Sequence, residues 1–502
     1  MKKATPTSNT AILRLVLCTV FAFTLQFLST STYATTTKTS ITSPPTISSA
    51  INVNSFTMDN GLHVIHHYRP YSNSVTLQVV IGGGLDQYPC DKQQTPHVLE
   101  HMLLAETRRF AEGDMRQTIK NLGGSINGFT ALEYTHYSAI LHSNYLETGL
   151  DMLYSTVFEP ALSIKTLKKS ITAVHAEIGT TNNAIKNLIN DKPAVKNLGV
   201  ARLYANSNLD CTIRSSPSAI SLAETQKAYD TLYHPSNMTL IILGNVKGEQ
   251  LTPAILSPFK NINDSSVVHN KKISLLTTDT TPIIEHGKFS ESKVHVSLLL
   301  PATGKSTGNT AAFQLISDYF GEILFNELRI HLGIAYSPRA MYIAGSDLGH
   351  IYVTAETTLE GEKKVTESIL FHYKELVING IPEKDIARLK KRAILKHESK
   401  ERRNIRITQQ IRHHRLKIKH TGIMPNAIDE IKELTSLSIK RVIDEHFPQQ
   451  PILAILRPLN NSELIQRLLL IVIISCLIAL PLFRWLRNRN RREPKINKTS
   501  PR

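Results

Sequence analysis

The sequence predicts an α+β protein of two homologous lobes, each a mostly antiparallel sheet packed with helices, plus one C-terminal transmembrane helix. Three observations lead there. Strand-like and helix-like runs alternate from Asn52 onward, the second half repeats the outline of the first, and Leu468 to Phe483 is an uncharged apolar run beside a basic tail. A chain of 502 residues has room for two or three domains and a large core.

Residues 1–34 read as a signal peptide. Lys2 and Lys3 precede an apolar run from Ala11 to Phe27, and Thr32-Tyr33-Ala34 offers a cleavage site. Arg14 interrupts the run, and an uncleaved N-terminal anchor is the competing reading. Residues 35–50 are rich in Thr and Ser and form a flexible leader.

The first lobe is expected over residues 51–257. Ser55 to Met58, the Asn60-Gly61 turn and Leu62 to His67 read as a hairpin. The histidines there alternate with apolar residues and are expected on the open face of a strand. Val75 to Ile81 is a buried-type strand ending in three glycines. Strands are expected again after Leu122 and over Tyr134 to Leu141, helices over Asn144 to Val157 and Leu162 to Ile178, and a closing strand over Met238 to Gly244.

Between these lies Thr95-Pro96-His97-Val98-Leu99-Glu100-His101. Thr95 is a fair N-cap and Pro96 suits a first helical turn. On that helix His97 and His101 share a face one turn apart, with Glu100 beside them. They can reach one metal ion, in the reverse of the commoner zinc-protease order. The competing reading is a solvated helix end with incidental histidines. Zinc needs a third protein ligand and an open position. The candidate is Glu177, on the helix 162–178. His175 is well round that helix from Glu177 and is not expected to ligate.

Residues 258–285 are polar and read as a linker. The second lobe, 286–457, repeats the outline: strand Val294 to Leu300, helix Thr310 to Leu328, strand His350 to Thr358, helices Leu359 to Leu376 and Asp385 to His397, closing strand Ile452 to Leu456. Leu167-Lys168-Lys169 is echoed by Leu389-Lys390-Lys391, and Tyr233-His234-Pro235 by His446-Phe447-Pro448. The shift aligning the first pair carries His97 and His101 to Tyr319 and Ile323, so the second half has no matching metal pair.

Residues 464–486 can span a bilayer. Eight basic residues and one acid follow from Arg484 to Arg502, so the tail 487–502 is expected in the cytoplasm by the positive-inside rule. With an exported body, Cys90 and Cys211 form an even pair in an oxidising compartment, and a disulfide between them is one expectation, two separate thiols the other. Of the net charge of +17, the first 34 residues carry +3 and residues 484–502 carry +7, leaving +7 elsewhere. Much of that lies in a helix-like run from Arg388 to Lys419, expected as a solvated face. No stretch resembles a nucleic-acid module, and an exported location argues against one.

The distal glutamate on its helix makes a resemblance plain. The chain resembles the pitrilysin/insulinase (inverzincin) metallopeptidases over about 51–457. The carrying motifs are His97-Val98-Leu99-Glu100-His101 with Glu177, Gly123-Gly124 through Asn127-Gly128-Phe129-Thr130 to Thr135-His136-Tyr137, Tyr233-His234-Pro235-Ser236-Asn237-Met238, and Leu328-Arg329 with Gly333-Ile334-Ala335-Tyr336. The resemblance implies one Zn2+ per chain on His97, His101 and Glu177. It implies Glu100 as the general base acting on zinc-activated water. Asn127 and Phe129 are implied as binders of an extended peptide substrate, and Arg329 and Tyr336 as holders of its carbonyl. It also implies a zinc endopeptidase that works as a homodimer or heterodimer, or alternatively an inactive subunit beside an active homologue. The exported, single-pass topology would place it on the periplasmic side of a bacterial inner membrane. Three departures stand out: Ser170 where the family often has a second glutamate, Gln94 where a glycine is usual, and Gly128 in place of alanine.

Overall fold

A computed structural model describes residues 52–178, 199–200, 202–203, 216–251, 253–260, 262, 280–286, 292–401, 404–448, 450–459 and 461–490. The expected signal peptide, the leader and Cys211 lie outside the described residues. Cys90 is disulfide-bonded.

Two sheets carry the fold. The first contains β1 (Asn54–Thr57), β2 (His63–Tyr68), β3 (Ser74–Gly82), β4 (Ser125–Thr130), β5 (Tyr134–His142) and β6 (Met238–Gly244), in the order β1-β2-β6-β3-β5-β4. Its neighbours pair antiparallel except β2 with β6. The second contains β7 (Ile283–His286), β8 (Val294–Thr303), β9 (Tyr336–Ala344), β10 (Leu348–Thr357) and β11 (Ile452–Arg457), in the order β7-β11-β8-β10-β9. Only β7 and β11 are parallel. The expected linker ends inside structure: helix Pro253–Lys260 overlaps its start and β7 its end. Strand β9 was not anticipated.

Each sheet packs one face on helices of its own half. The first half supplies α1 (Thr95–Ala105), α2 (Asp114–Asn121), α3 (Leu146–Phe158), α4 (Ile164–Ile178), α5 (Leu222–Leu232) and α6 (Pro253–Lys260). Alternate residues of β3, Val75, Leu77, Val79 and Ile81, meet Leu99 and Leu103 of α1 and Leu150 and Leu153 of α3, as the period of a strand requires. The second half supplies α7 (Thr310–Leu324), α8 (Glu362–Asn379), α9 (Glu383–Glu401), α10 (Asn404–Thr421), α11 (Ala427–Glu433) and α12 (Ser436–His446). There Val296, Leu298 and Leu300 meet Phe313, Phe320, Ile369 and Tyr373.

The other face of each sheet is covered by the opposite half. Ile407, Ile411 and Ile418 of α10 lie on Ile65, Val80, Ile241 and Leu243 of the first sheet. Leu203 and Val200 lie on Leu299, Tyr352 and Ile452 of the second. This corrects two expectations. His63 and His66 are buried rather than on an open strand face: His63 shares with Ile65 the face that α10 covers, and His66 shares with Val64 the face packed on the first half's own core, its Nε2 2.8 Å from Val246 O. The basic run is not simply a solvated helix: Arg412, His413 and Arg415 are buried. The guanidinium carbons of Arg412 and Arg415 lie 5.1 and 5.5 Å from the Tyr134 ring centre.

A single carboxylate ties the two halves beside this helix. Glu133, in the β4–β5 turn, accepts from the backbone N–H groups of Ser346, Asp347 and Leu348 at 2.5, 2.9 and 2.9 Å. A Cβ on Gly345 would stand 2.6 Å from its Oε2, so only glycine admits this approach. Buried Arg415 donates to Ser346 Oγ at 3.4 Å. Burial pulls its pKa down, and Glu133 and Asp347 act the other way.

The last helix, α13 (Asn461–Asn490), contains the stretch Leu464–Pro481, which is long and apolar enough to cross a membrane and has no part buried in the protein.

Two predictions follow from the junction. Glu133→Ala strands three amides and removes a charge that favours buried Arg415, and costs roughly 3 kcal/mol, read as a lower urea midpoint, with Glu133→Gln intermediate. Acid weakens the fold as well. Burial holds His63 down to about 4, His136 to about 3, His413 to about 2 and His414 to about 4. Such groups cost nothing above the ordinary imidazole range and become unfavourable below it, because only the unfolded chain takes up the protons. Asp86, raised to about 6, and Glu100, raised to about 7, act oppositely, two groups against four. Stability therefore falls by roughly 2–3 kcal/mol between about pH 7.5 and pH 5.5, and His413→Gln flattens that dependence.

Candidate active site

Helix α1 starts one residue earlier than its capping pattern suggested. Gln94 is the N-cap and Thr95 is the first helical residue, its hydroxyl donating to Lys92 O at 2.7 Å. Val98 and Met102, on the opposite side from the sheet core, pack against Leu167 and Val174 of α4. That contact sets the register of two helices and brings Glu177 to the histidine face. Its Oε2 lies 3.5 Å from His97 Nε2 and 3.2 Å from His101 Nε2. The three donor atoms fall within 4.8 Å of one another, the one such group found among the described residues. His175 is elsewhere, bonded to Ser218 Oγ at 2.7 Å.

Two imidazoles and a carboxylate converging with one side open are a donor set that suits a catalytic zinc. The orientation of His97 supports the fit. Buried Gln94 places its Oε1 3.0 Å from His97 Nδ1. An amide oxygen can only accept, so Nδ1 carries the proton and the Nε2 lone pair is left for a metal. The departure at position 94 thus has a physical role, which a residue three places before a histidine on a helix start could have signalled.

Glu100 is buried against β4. Thr130 Oγ1 donates to its Oε2 at 2.8 Å. Burial raises its carboxyl to about 7; the Thr130 bond lowers it and the Glu177 charge raises it. A bound dication would pull it down again. A Cβ on residue 128 would lie 2.5 Å from Glu100 Oε1, so Gly128 makes room for this carboxylate. Below it, Tyr137 and Tyr233 share a buried hydroxyl bond of 2.7 Å.

The triad opens into a cavity of about 710 Å³ whose walls include Glu100, Asn127, Phe129, Thr130 and Ser170. Asn127 and Phe129 lie on β4, the edge strand of its sheet. Arg329 and Tyr336 do not line it. They meet each other, with the Arg329 guanidinium carbon 5.1 Å from the Tyr336 ring centre, where a π-type turn, Phe325–His331, leads to β9. Lys293 covers the same ring at 5.0 Å. The expected helix to Leu328 therefore ends as a wider turn, and Ser337 after it has a φ of 50°, a strained value for a residue with a side chain.

Comparison with known proteins agrees with this geometry. A profile of the insulinase family, peptidase family M16, matches residues 63–203, and a profile of the peptidase M16 inactive domain matches residues 219–393. The chain belongs to the M16 peptidase family. An uncharacterized zinc protease of Bacillus subtilis is 23% identical over 428 residues, covering 81% of this chain and 98% of that protein. One from Mycobacterium leprae is 23% identical over 311 residues, 60% of this chain and 68% of its own length. Among solved structures, a protease from Helicobacter pylori matches with a TM-score of 0.71 at 16% identity, over 81% of this chain and all of that one. The first half of a periplasmic protease from Escherichia coli matches with a TM-score of 0.65 at 14% identity, over 83% and 95%. These likenesses establish the two-lobed M16 fold.

Gln94→Ala is predicted to weaken zinc binding about 10–100-fold, measured by competition with a chromogenic chelator. Gln94→Glu, which also accepts from Nδ1, restores it.

Proposed function

We propose that this chain is a zinc-dependent endopeptidase that hydrolyses peptides or unfolded segments. The observation that carries this reading is the meeting of His97, His101 and Glu177 at one point with Glu100 buried beside them. The donor set fits one zinc ion, and a zinc ion there supplies Lewis-acid polarisation of the scissile carbonyl and of water. Glu100, oriented by Thr130, takes the proton of the attacking water and delivers it to the leaving amine. Burial raises the affinity of this carboxylate for the proton it takes, which suits both halves of that transfer. The free edge of β4 offers backbone donors and acceptors to an extended peptide, with Asn127 and Phe129 flanking it.

In this reading residues 51–260 are the catalytic domain, 261–282 the linker and 283–457 a non-catalytic peptidase-like domain, the expected linker 258–285 being shortened by the helix and strand at its two ends. Helix 464–486 anchors the protein in a membrane with the tail 487–502 in the cytoplasm and the body outside, on the periplasmic side of a bacterial inner membrane. The disulfide at Cys90 supports an oxidising compartment. The separation of Arg329 and Tyr336 from the cavity supports a working unit of two chains, a homodimer or a heterodimer with a related subunit, in which this pair meets peptide held by the other chain. The same separation favours a second reading, an inactive subunit that binds substrate for an active homologue.

The full chain in detergent, loaded with zinc and given a mixed peptide library, is expected to cleave it. Glu100→Gln should retain zinc and lose at least about 100-fold in rate. Equal cleavage by the variant, or no zinc in the wild type, would leave the second reading.

A further inference from the structure

The cavity beside the triad has a charged far wall that the proposed chemistry does not use. It is formed by Glu112, Arg116 and Lys169. Lys169 Nζ donates to Glu112 Oε2 at 2.6 Å. Lys165 is 3.2 Å from Glu106 and 3.9 Å from the same Glu112 oxygen. The two lysines and two glutamates therefore neutralise one another, and both lysines hold the Glu112 carboxyl below its usual range. Arg116 is left over. Among the described residues no carboxylate lies within ion-pair distance of it. Its helix α2 is pinned by buried Met115 and Ile119, so the guanidinium stands on a fixed base.

Ser170 also lines this wall and is buried. No acid at that position offsets the cation. Lys169 is eight residues before Glu177 on α4, ~12 Å along the helix axis. An extended peptide advances ~3.3 Å per residue, so the wall is reached by a side chain within about four residues of the cleaved bond. A guanidinium offers paired donors that match a carboxylate.

We propose that Arg116 forms a specificity subsite for an acidic side chain of the substrate, Asp or Glu, close to the scissile bond. This rests on the peptidase reading. The carboxylate binds the Arg116 fork, and Lys169 lends a second donor from its pair with Glu112. Peptides carrying Lys or Arg at that place meet an unneutralised cation and are disfavoured.

The test uses the zinc-loaded full chain in detergent and a peptide series with Glu, Gln or Lys at each of four positions on either side of one cleavable bond. At one position, kcat/KM for Glu over Gln should be roughly three- to tenfold, with Lys below Gln. That ratio should shrink as salt rises. Arg116→Gln should bring it near one, and Arg116→Glu should invert it in favour of Lys. Cleavage that Glu100→Gln abolishes, but with no acid preference or one unchanged in Arg116→Glu, overturns the subsite and leaves the peptidase intact. Absence of any cleavage overturns the peptidase. The subsite is then judged by fluorescence anisotropy of labelled Glu and Lys peptides on zinc-loaded Glu100→Gln. Tighter binding of the Glu peptide, reversed by Arg116→Glu, supports it; equal binding overturns it.

Discussion

A sheet has two apolar faces, and each half of this chain has helices enough for only one. The remaining faces have to be buried by something else. Here each half covers the other. Helix α10 lies across the first sheet, and Val200 and Leu203 lie on the second. Because both exchanges run between residues far apart in sequence, the lobes are bound by core packing rather than by a surface contact. The Glu133 bonds to Ser346, Asp347 and Leu348 sit at the edge of that packing.

The same constraint reaches the site. Glu133 belongs to the turn that joins β4 to β5, and β4 carries Thr130, which holds Glu100. Ala131 and Leu132 of that turn also accept from Leu85 and Asp86, and Leu85 lines the cavity. So the second half, which has no matching set of candidate metal ligands among the described residues, still bears on the position of Glu100. The cost is a set of histidines and arginines held away from water under α10, where neutral imidazole is the only form that burial tolerates.

Local regularities were legible in the residues. The i, i+4 spacing of His97 and His101 needs only a helix to become a shared face, and most strands showed as short runs rich in apolar residues. Glu177 was found because its helix offers few acids. Less legible was anything set by contacts across the chain. Gln94 read as an anomaly until its amide was seen on His97 Nδ1. The alternation of His63 and His66 with apolar residues gave no hint that both faces of the strand would be buried. The run from Arg388 to Lys419 looked solvated because charge density says where a segment prefers to be, and only its isoleucines show what it covers.

By itself, then, the sequence determined the α+β repeat, the three candidate metal ligands that the fold brings together, the family and an apolar helix of membrane-spanning length, because each is written in spacing or composition over short stretches. Tertiary structure alone decided that Glu100 is buried under Gly128 and Thr130, that α10 seals the first sheet, and that Arg329 and Tyr336 pair away from the triad. It also left Arg116, in the cavity wall, with no carboxylate within ion-pair distance among the described residues. Those outcomes depend on which side chains from distant parts of the chain compete for the same space and the same carboxylates, and no local pattern encodes that competition.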